Sequence, residues 1–300
     1  MNYMPFSENT DLNKSQTPVP VSYFDPNYLS LQEYDKLLTF ENEGYLISFS
    51  LDQSIATSLP RAPFGSYMAK ELNHSDSFLS FEKEATASLK IQEIEQLSIV
   101  HPSPIYKPFV DVGILKKVGY QVLYEDINQH IPLTEDWENT IHKMQSRKLK
   151  SLQEDGFEFK KMPNTELEKA HQFLSVCREV QGLKINISWE KLRKLSLEMP
   201  HTYECFGVFR DGKMSAVCIA VRVTADVVYY YLPGTSPFFK ARSPMVLLIA
   251  GMVSYYRKVG FKYLDLGISS VHGKPQETLR IFKERMGAVE TMKPSLVKNV

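Results

Sequence analysis

A lysine becomes chemically useful where its charge is hard to solvate, and one lysine of this chain is spaced that way. In Leu279-Arg-Ile-Phe282-Lys283-Glu-Arg-Met286-Gly287, the apolar residues Leu279, Phe282 and Met286 recur at helical spacing. They predict the buried face of a short helix that Gly287 stops. Lys283 lies four residues after Leu279 and three before Met286, on that same face. Two readings stay open. A snorkelling lysine covers Leu279 with its stem and carries its ammonium to water. A lysine aimed into a concave, partly dry site stabilises a developing negative charge.

A charged donor of this kind works with side chains that take or give a proton. Candidates for such groups lie near the lysine in sequence. Tyr229, Tyr230 and Tyr231 end a strand, and alternation puts the first and third on one face. Tyr231 reads either as an acid for a leaving group or as a packed tyrosine with a bonded tip. Asp265 sits inside an otherwise apolar strand, as a base or as a structural acceptor. His272 follows in a loop, with a pKa usable near neutrality.

The loop before the most apolar helix holds Gly234, Thr235, Ser236, Lys240, Arg242 and Ser243. Ser243-Pro244 is the expected N-cap and first turn of that helix, and Gly260 its stop. A helix start ringed by hydroxyls and two cations makes an anion cradle; the bland alternative is a capped core helix with a solvated basic loop. Metal chemistry finds no support. The seven histidines show no close ligand spacing, and there is no zinc, calcium, nucleophile-elbow, Walker or dinucleotide motif.

The elements that would carry these residues alternate. Residues 203–232 read as a strand meander with turns at Asp211-Gly212 and Ala225-Asp226. A helix over 244–259, a strand over 261–271, a loop over 272–276 and the lysine helix follow. The first half reads as a helix over 28–40, a strand over 44–52, turns over 58–67, a helix over 78–92 and a strand over 94–100. A loop over 101–109 leads to a short helix running through Gly119 into a strand. Pro63-Phe-Gly-Ser matches Pro233-Gly-Thr-Ser, Ser98-Ile-Val-His101 matches Ser270-Val-His272, and Val118-Gly119 matches Met286-Gly287. This order favours an internal duplication. It places Arg61, His101 and Tyr106 in first-half loops that match second-half site loops.

A chain of 300 residues with 43% hydrophobic content suits two domains with real cores. Three cysteines without CxxC spacing fit a reduced compartment. The first twenty residues have no basic region followed by an apolar run, and the most apolar stretch, 245–253, is too short to cross a bilayer. A cytoplasmic chain without membrane insertion is expected. The net charge of zero hides an asymmetry: residues 1–140 carry 9 Lys and Arg against 20 Asp and Glu, and residues 141–300 carry 26 against 15. Either the second half meets an anion or the two parts attract each other. The expected divisions are a flexible arm over 1–27, a first domain over 28–138 and a second over 139–300.

The order of meander, loop, helix, strand and last helix resembles the GNAT acyltransferase fold. The wording "VVYYYLPGTSP…SPMVLLIAGMVSYYRKVGFKYLDLG…LRIFKERMG" resembles its FemAB-like branch. There two GNAT-like domains stand in tandem, and the second ends in Phe-Lys-x-x-Phe/Met-Gly, here Phe282 to Gly287. Residues 146–159 look like the basic helix that opens the second domain. The resemblance covers roughly 28–295 and is most specific over 229–287.

It implies an α/β (α+β) fold with two tandem GNAT-like domains, each a mixed sheet flanked by helices. It implies an N-acyltransferase, transferring an acetyl, acyl or aminoacyl group to an amine-bearing acceptor. Lys283 would face the cleft and hold the donor or the oxyanion, with Tyr231, Asp265 and His272 as further catalytic candidates. The donor would lie against Gly234, Thr235, Ser236, Lys240, Arg242 and Ser243. The acceptor would lie between the halves near Arg61, His101 and Tyr106. One departure stands out. Coenzyme A users usually carry Arg/Gln-x-x-Gly-x-Gly/Ala before the buried helix, whereas Phe239-Lys-Ala-Arg-Ser243-Pro has no glycine. Acyl-CoA and aminoacyl-tRNA both stay open as donors, the latter making tRNA a partner. A second class also stays open: a non-catalytic module of this fold that binds RNA or an acidic protein.

Overall fold

The computed structural model describes residues 2–5, 21–70 and 75–300; residues 6–20, most of the expected arm, lie outside the described residues. The chain forms two compact units. The first comprises Met1–Ile127, Ser270–Lys274 and Thr291–Val300, the second Asn128–Ser269 and Pro275–Glu290.

In the first unit, Tyr23 and Phe24 are buried in a 3-10 turn, followed by a helical turn Pro26–Ser30. Asp25 caps that turn by accepting from the Asn27 N–H at 2.8 Å. The helix expected over 28–40 stops there. Glu33 takes a left-handed φ of 53°, and Leu37–Glu41 forms strand β1, paired with β2 (Tyr45–Asp52) from Leu37↔Ser50 to Glu41↔Leu46. Pairing across the sheet overrode a short helical spacing, as tertiary context often does.

β3 (Ile55–Ser58) continues the meander antiparallel to β2. Helix α1 (Ser75–Ile91) then turns Phe78, Phe81, Ala85 and Leu89 into the core at three- and four-residue spacing. β4 (Gln96–Val100) returns parallel to β3 over three residue pairs. Helix α2 (Val112–Lys117) is capped by Asp111 and stopped at Gly119, whose φ is 98°. Strand β5 (Gln121–Pro132) follows, and the C-terminal strand Val289–Asn299 pairs antiparallel with β4.

The second unit takes the end of β5 and a helical turn, Trp137–Thr140, and continues with the basic helix α3 (Lys143–Glu154) and β6 (Phe157–Met162). Helices α4 (Leu167–Glu179) and α5 (Trp189–Glu198) precede the expected meander: β7 (Tyr203–Arg210), β8 (Lys213–Arg222) and β9 (Val227–Thr235). Helix α6 (Met245–Val259) is apolar nearly all round and buried on most sides, and Gly260 ends it at φ 96°. β10 (Tyr263–Ile268) lies parallel to β9 and antiparallel to the second part of β5. Helix α7 (Glu277–Arg285) and Gly287 close the unit. Each unit is thus a mixed α/β arrangement of meander, crossover helix, parallel strand and short helix. Among the described residues, no helix is long and apolar enough to cross a membrane.

Candidate active site

Helix α7 inverts the expected stripe. Leu279 is 37% exposed and Lys283 only 5%. The lysine does not snorkel: its Nζ donates to the carbonyls of Gly267 at 2.8 Å and Ile268 at 2.9 Å. Met286, beyond the helix end, is fully buried, and its carbonyl accepts from Trp137 Nε1 at 3.0 Å. The helix is therefore anchored at its C-terminal end, and Leu279, at the other end, is left in solvent. Burial lowers the Lys283 pKa to about 8, with Asp265 opposing the shift.

The two carbonyls are available because β10 is bulged. Its register against β5 shifts between Asp265 and Ile268, and Gly267 sits at φ 74°, where a side chain would be strained. The buried Asp265 carboxylate accepts from the Gly267 N–H at 2.8 Å and from Asn128 Nδ2 at 2.8 Å. Gly267 is thus held at its N–H by Asp265 and at its carbonyl by Lys283. β9 pairs with β10 only from Val227↔Tyr263 to Tyr229↔Asp265. Past Tyr229 and Asp265 the two parallel strands share no further pairs, and the β10 groups there are taken by Asp265 and Lys283.

Tyr229 lies against the bulge, its ring 3.2 Å from where a Gly267 Cβ would stand. Tyr231 lies beside it, with ring centroids 6.1 Å apart. Burial pushes the Tyr231 hydroxyl up to about 12, so it keeps its proton through the neutral range. His130, absent from the sequence candidates, is the register partner of Asp265 and 4% exposed. Its Nδ1 has no hydrogen-bond partner among the described residues, and burial holds the imidazole below its usual pKa, with Asp265 opposing. The usable signal was Asn128-Gln129-His130, three consecutive polar residues of one strand, all buried.

The donor-loop candidates divide. Thr235 pairs with Ala216 inside the sheet, and the Ser236 N–H donates to the Ser215 carbonyl at 2.9 Å. Gly234 is buried where Leu174 of α4 packs onto β9: a Cβ there would stand 2.6 Å from Leu174 Cδ2. Pro237–Arg242 forms a 3-10 helix. Ser243 is not the N-cap expected of it: it is left-handed, and Pro244 holds the cap position without a side-chain bond. Its Oγ instead accepts from Lys148 of α3 at 3.0 Å. Arg242 ion-pairs with Asp155, and Lys240 is exposed. Lys148, Lys240 and Arg242 therefore gather near the start of α6, and Lys148 is a residue that sequence reasoning missed.

The remaining candidates belong to the first unit. His272 is exposed at φ 49°, edge-on to Tyr124 at 5.0 Å, and is not in the unit that holds Lys283. His101 and Tyr106 line one cleft of about 670 Å³. His101 Nδ1 is 3.0 Å from Ser66 Oγ, and burial lowers its pKa to about 4, with Asp111 opposing. Arg61 is not in that lining; its guanidinium donates to the Gln32 carbonyl and lies over the Tyr34 ring. Among the described residues, no group of three or more His, Cys, Asp or Glu could hold a metal.

Residues 142–274 match the family model described as acetyltransferase (GNAT) domain. No curated protein matches the chain in sequence. The crystal structure of FemX shares 11% identity, covering 93% of this chain and 92% of its own, at a TM-score of 0.69. The structure of L-PGS from Bacillus licheniformis shares 12% over 90% of this chain and 85% of its own, at 0.61. At these identities the likeness is one of fold. The chain therefore carries an acetyltransferase (GNAT) domain over residues 142–274.

Proposed function

We propose that the protein is an N-acyltransferase whose second unit takes an acyl thioester, acyl-coenzyme A, and passes the acyl group to an amine. The observation that carries this is the buried Lys283 ammonium, fixed where β9 and β10 part. An ammonium has three donors, and two are on carbonyls. The third serves the negative charge that develops on the thioester carbonyl oxygen when the amine attacks. In a partly dry site that charge is weakly screened, which is what makes a preorganised donor effective.

Tyr231 supplies the proton for the departing thiolate. Asp265 and Asn128 act as positioning residues that keep the bulge in shape. The β9 edge beyond Tyr229, no longer paired with β10, suits the amides of an extended donor arm, in the manner of an added strand. Lys148, Lys240 and Arg242 take over phosphate holding from the glycine loop that is missing here. Direct transfer balances without a cofactor: the C–N bond forms, the C–S bond breaks, the thiolate takes its proton from Tyr231, the attacking amine gives up one proton to solvent, and Tyr231 regains one from solvent.

Thermal unfolding with acetyl-coenzyme A and with free coenzyme A tests the donor. A ligand at about a hundred times its dissociation constant stabilises by about 2.7 kcal/mol. A saturable shift that Lys148→Ala with Arg242→Ala diminishes, followed by thiol release when an amine is added, is the expected result. No shift at low or at physiological salt overturns the thioester donor.

A further inference from the structure

We infer that the first unit's cleft is a binding site for a small organic cation, a primary amine carried on an apolar or aromatic body. The cleft measures about 670 Å³, within the roughly 300–1,000 Å³ of small-molecule sites. Its walls are stiff. Pro102, Pro104, Pro108 and Pro294 line it, so little side-chain entropy is lost when a ligand enters. Tyr106 and Phe109 line the same space, and an ammonium over the face of such a ring is attracted by its quadrupole.

The charge of the lining selects the cation. Among the described residues, the charged residues that line it are Lys107, Asp111 and Glu125, leaving one negative charge over. His101 adds none near neutrality, since burial keeps its imidazole unprotonated. Asp111 Oδ1 takes the Gly113 N–H at 2.7 Å as the cap of α2. Glu125 is exposed and has no hydrogen-bond or ion-pair partner among the described residues, so its carboxylate is open to a ligand. The whole first unit points the same way, with 17 Asp and Glu against 12 Lys and Arg. An anion would meet an uncompensated carboxylate, and a neutral apolar molecule would gain nothing from it.

An amine is also the nucleophile that the acyl-transfer reading requires, but binding is measured without any donor, so either idea can fail alone. Isothermal titration of 4-phenylbutylamine, 4-phenylbutanol and 4-phenylbutyrate compares three bodies of one shape and three charges. The amine is expected to bind at least tenfold more tightly than the alcohol, and the acid least. Glu125→Gln combined with Asp111→Asn, which keeps the cap because asparagine caps as well as aspartate, should remove that preference. Ile114→Trp, which fills the cleft, should abolish binding with the melting temperature kept. Equal binding of all three probes, an unchanged preference in the double variant, or no binding of the amine at millimolar concentration overturns the inference.

Discussion

The two units run the same order of elements, and their differences isolate what the second one adds. Each has an antiparallel meander, a crossover helix and a parallel return strand paired over three residues: Ile55–Thr57 with Gln96–Ser98, and Val227–Tyr229 with Tyr263–Asp265. Each then has a short helix ended by a left-handed glycine, Gly119 or Gly287. Four residues before that glycine the first unit has Leu115, fully buried, and the second has Lys283. At the ladder end, Thr57 and Ser98 stand where the second unit has Tyr229 and Asp265. A leucine fills that position in one unit, so packing alone does not call for a lysine there. What accompanies the lysine is the bulge at Gly267 and the cluster of ionisable side chains around it.

The largest effect should come from making the second unit like the first. Lys283→Leu removes the ammonium and leaves the Gly267 and Ile268 carbonyls without their donor. Loss of one oxyanion donor costs about 10²–10³ in rate, about 3–4 kcal/mol of transition-state stabilisation. The lost carbonyl partners should cost about 1–2 kcal/mol of stability, so the protein stays folded. Steady-state kcat/KM beside a melting curve separates the two. A rate within threefold of the parent protein would make Lys283 a clamp of the bulge and nothing more.

Buried carboxylates sharpen the comparison next. Glu82 of the first unit accepts from Lys298 Nζ at 2.7 Å and Thr86 Oγ1 at 2.8 Å, and the Lys298 side chain is 14% exposed. Glu204 of the second unit holds Arg222 through two bonds, Lys161 and Tyr256, and its cations are 29% and 42% exposed. Removing the acid strands a buried cation in the first case and a wetter pair in the second. Glu82→Gln should therefore cost about 3 kcal/mol and Glu204→Gln about 1, read by urea unfolding.

Glycines of the two matched sequence segments differ in the same sense but by less, although Gly234 lies inside strand β9 and not in a turn. A Cβ at Gly65 would stand 2.5 Å from the Ser58 backbone oxygen, and one at Gly234 would stand 2.6 Å from the end of a leucine side chain. A side chain can yield and a ladder carbonyl cannot. Gly65→Ala should cost about 2 kcal/mol and Gly234→Ala about 1.

Local signals carried much of this. The meander, the apolar crossover helix and the glycine stops were legible because turn chemistry and capping act within a few residues. Lys283 was legible as an anomaly, but its stripe was misjudged. Periodicity shows which side chains share a face and not which end of a helix is anchored, and Met286 with Trp137 anchors the far end. The segment 28–40 failed because five residue pairs with β2 outweighed helical spacing. His130 and Lys148 were missed for a shared reason. Each gains its role from a partner distant in sequence, Asp265 across the sheet and Ser243 across two helices. His272 falls in the first unit, since nearness to Lys283 in the chain does not decide which unit a loop joins.

The smallest expected effect is a pH dependence, and its sign separates the two roles of Lys283. Burial lowers its pKa to about 8 in the folded protein, against about 10.4 for an unfolded lysine. Below about pH 8 both states hold the proton, and the cost of the buried charge is fully present. Between about 8 and 10.4 the unfolded state binds more protons than the folded one, so this group makes stability rise with pH. Turnover should move the other way. A rate that needs the ammonium falls above about pH 8, by about tenfold near pH 9, through a window in which this residue does not weaken the fold. Lys283→Arg keeps the charge beyond pH 12, so its slower turnover should lose the alkaline fall. A parent rate flat from about pH 7.5 to 9.5, or the same alkaline fall in the arginine variant, would take the reacting charge away from Lys283 and leave it to the bulge that the first unit lacks.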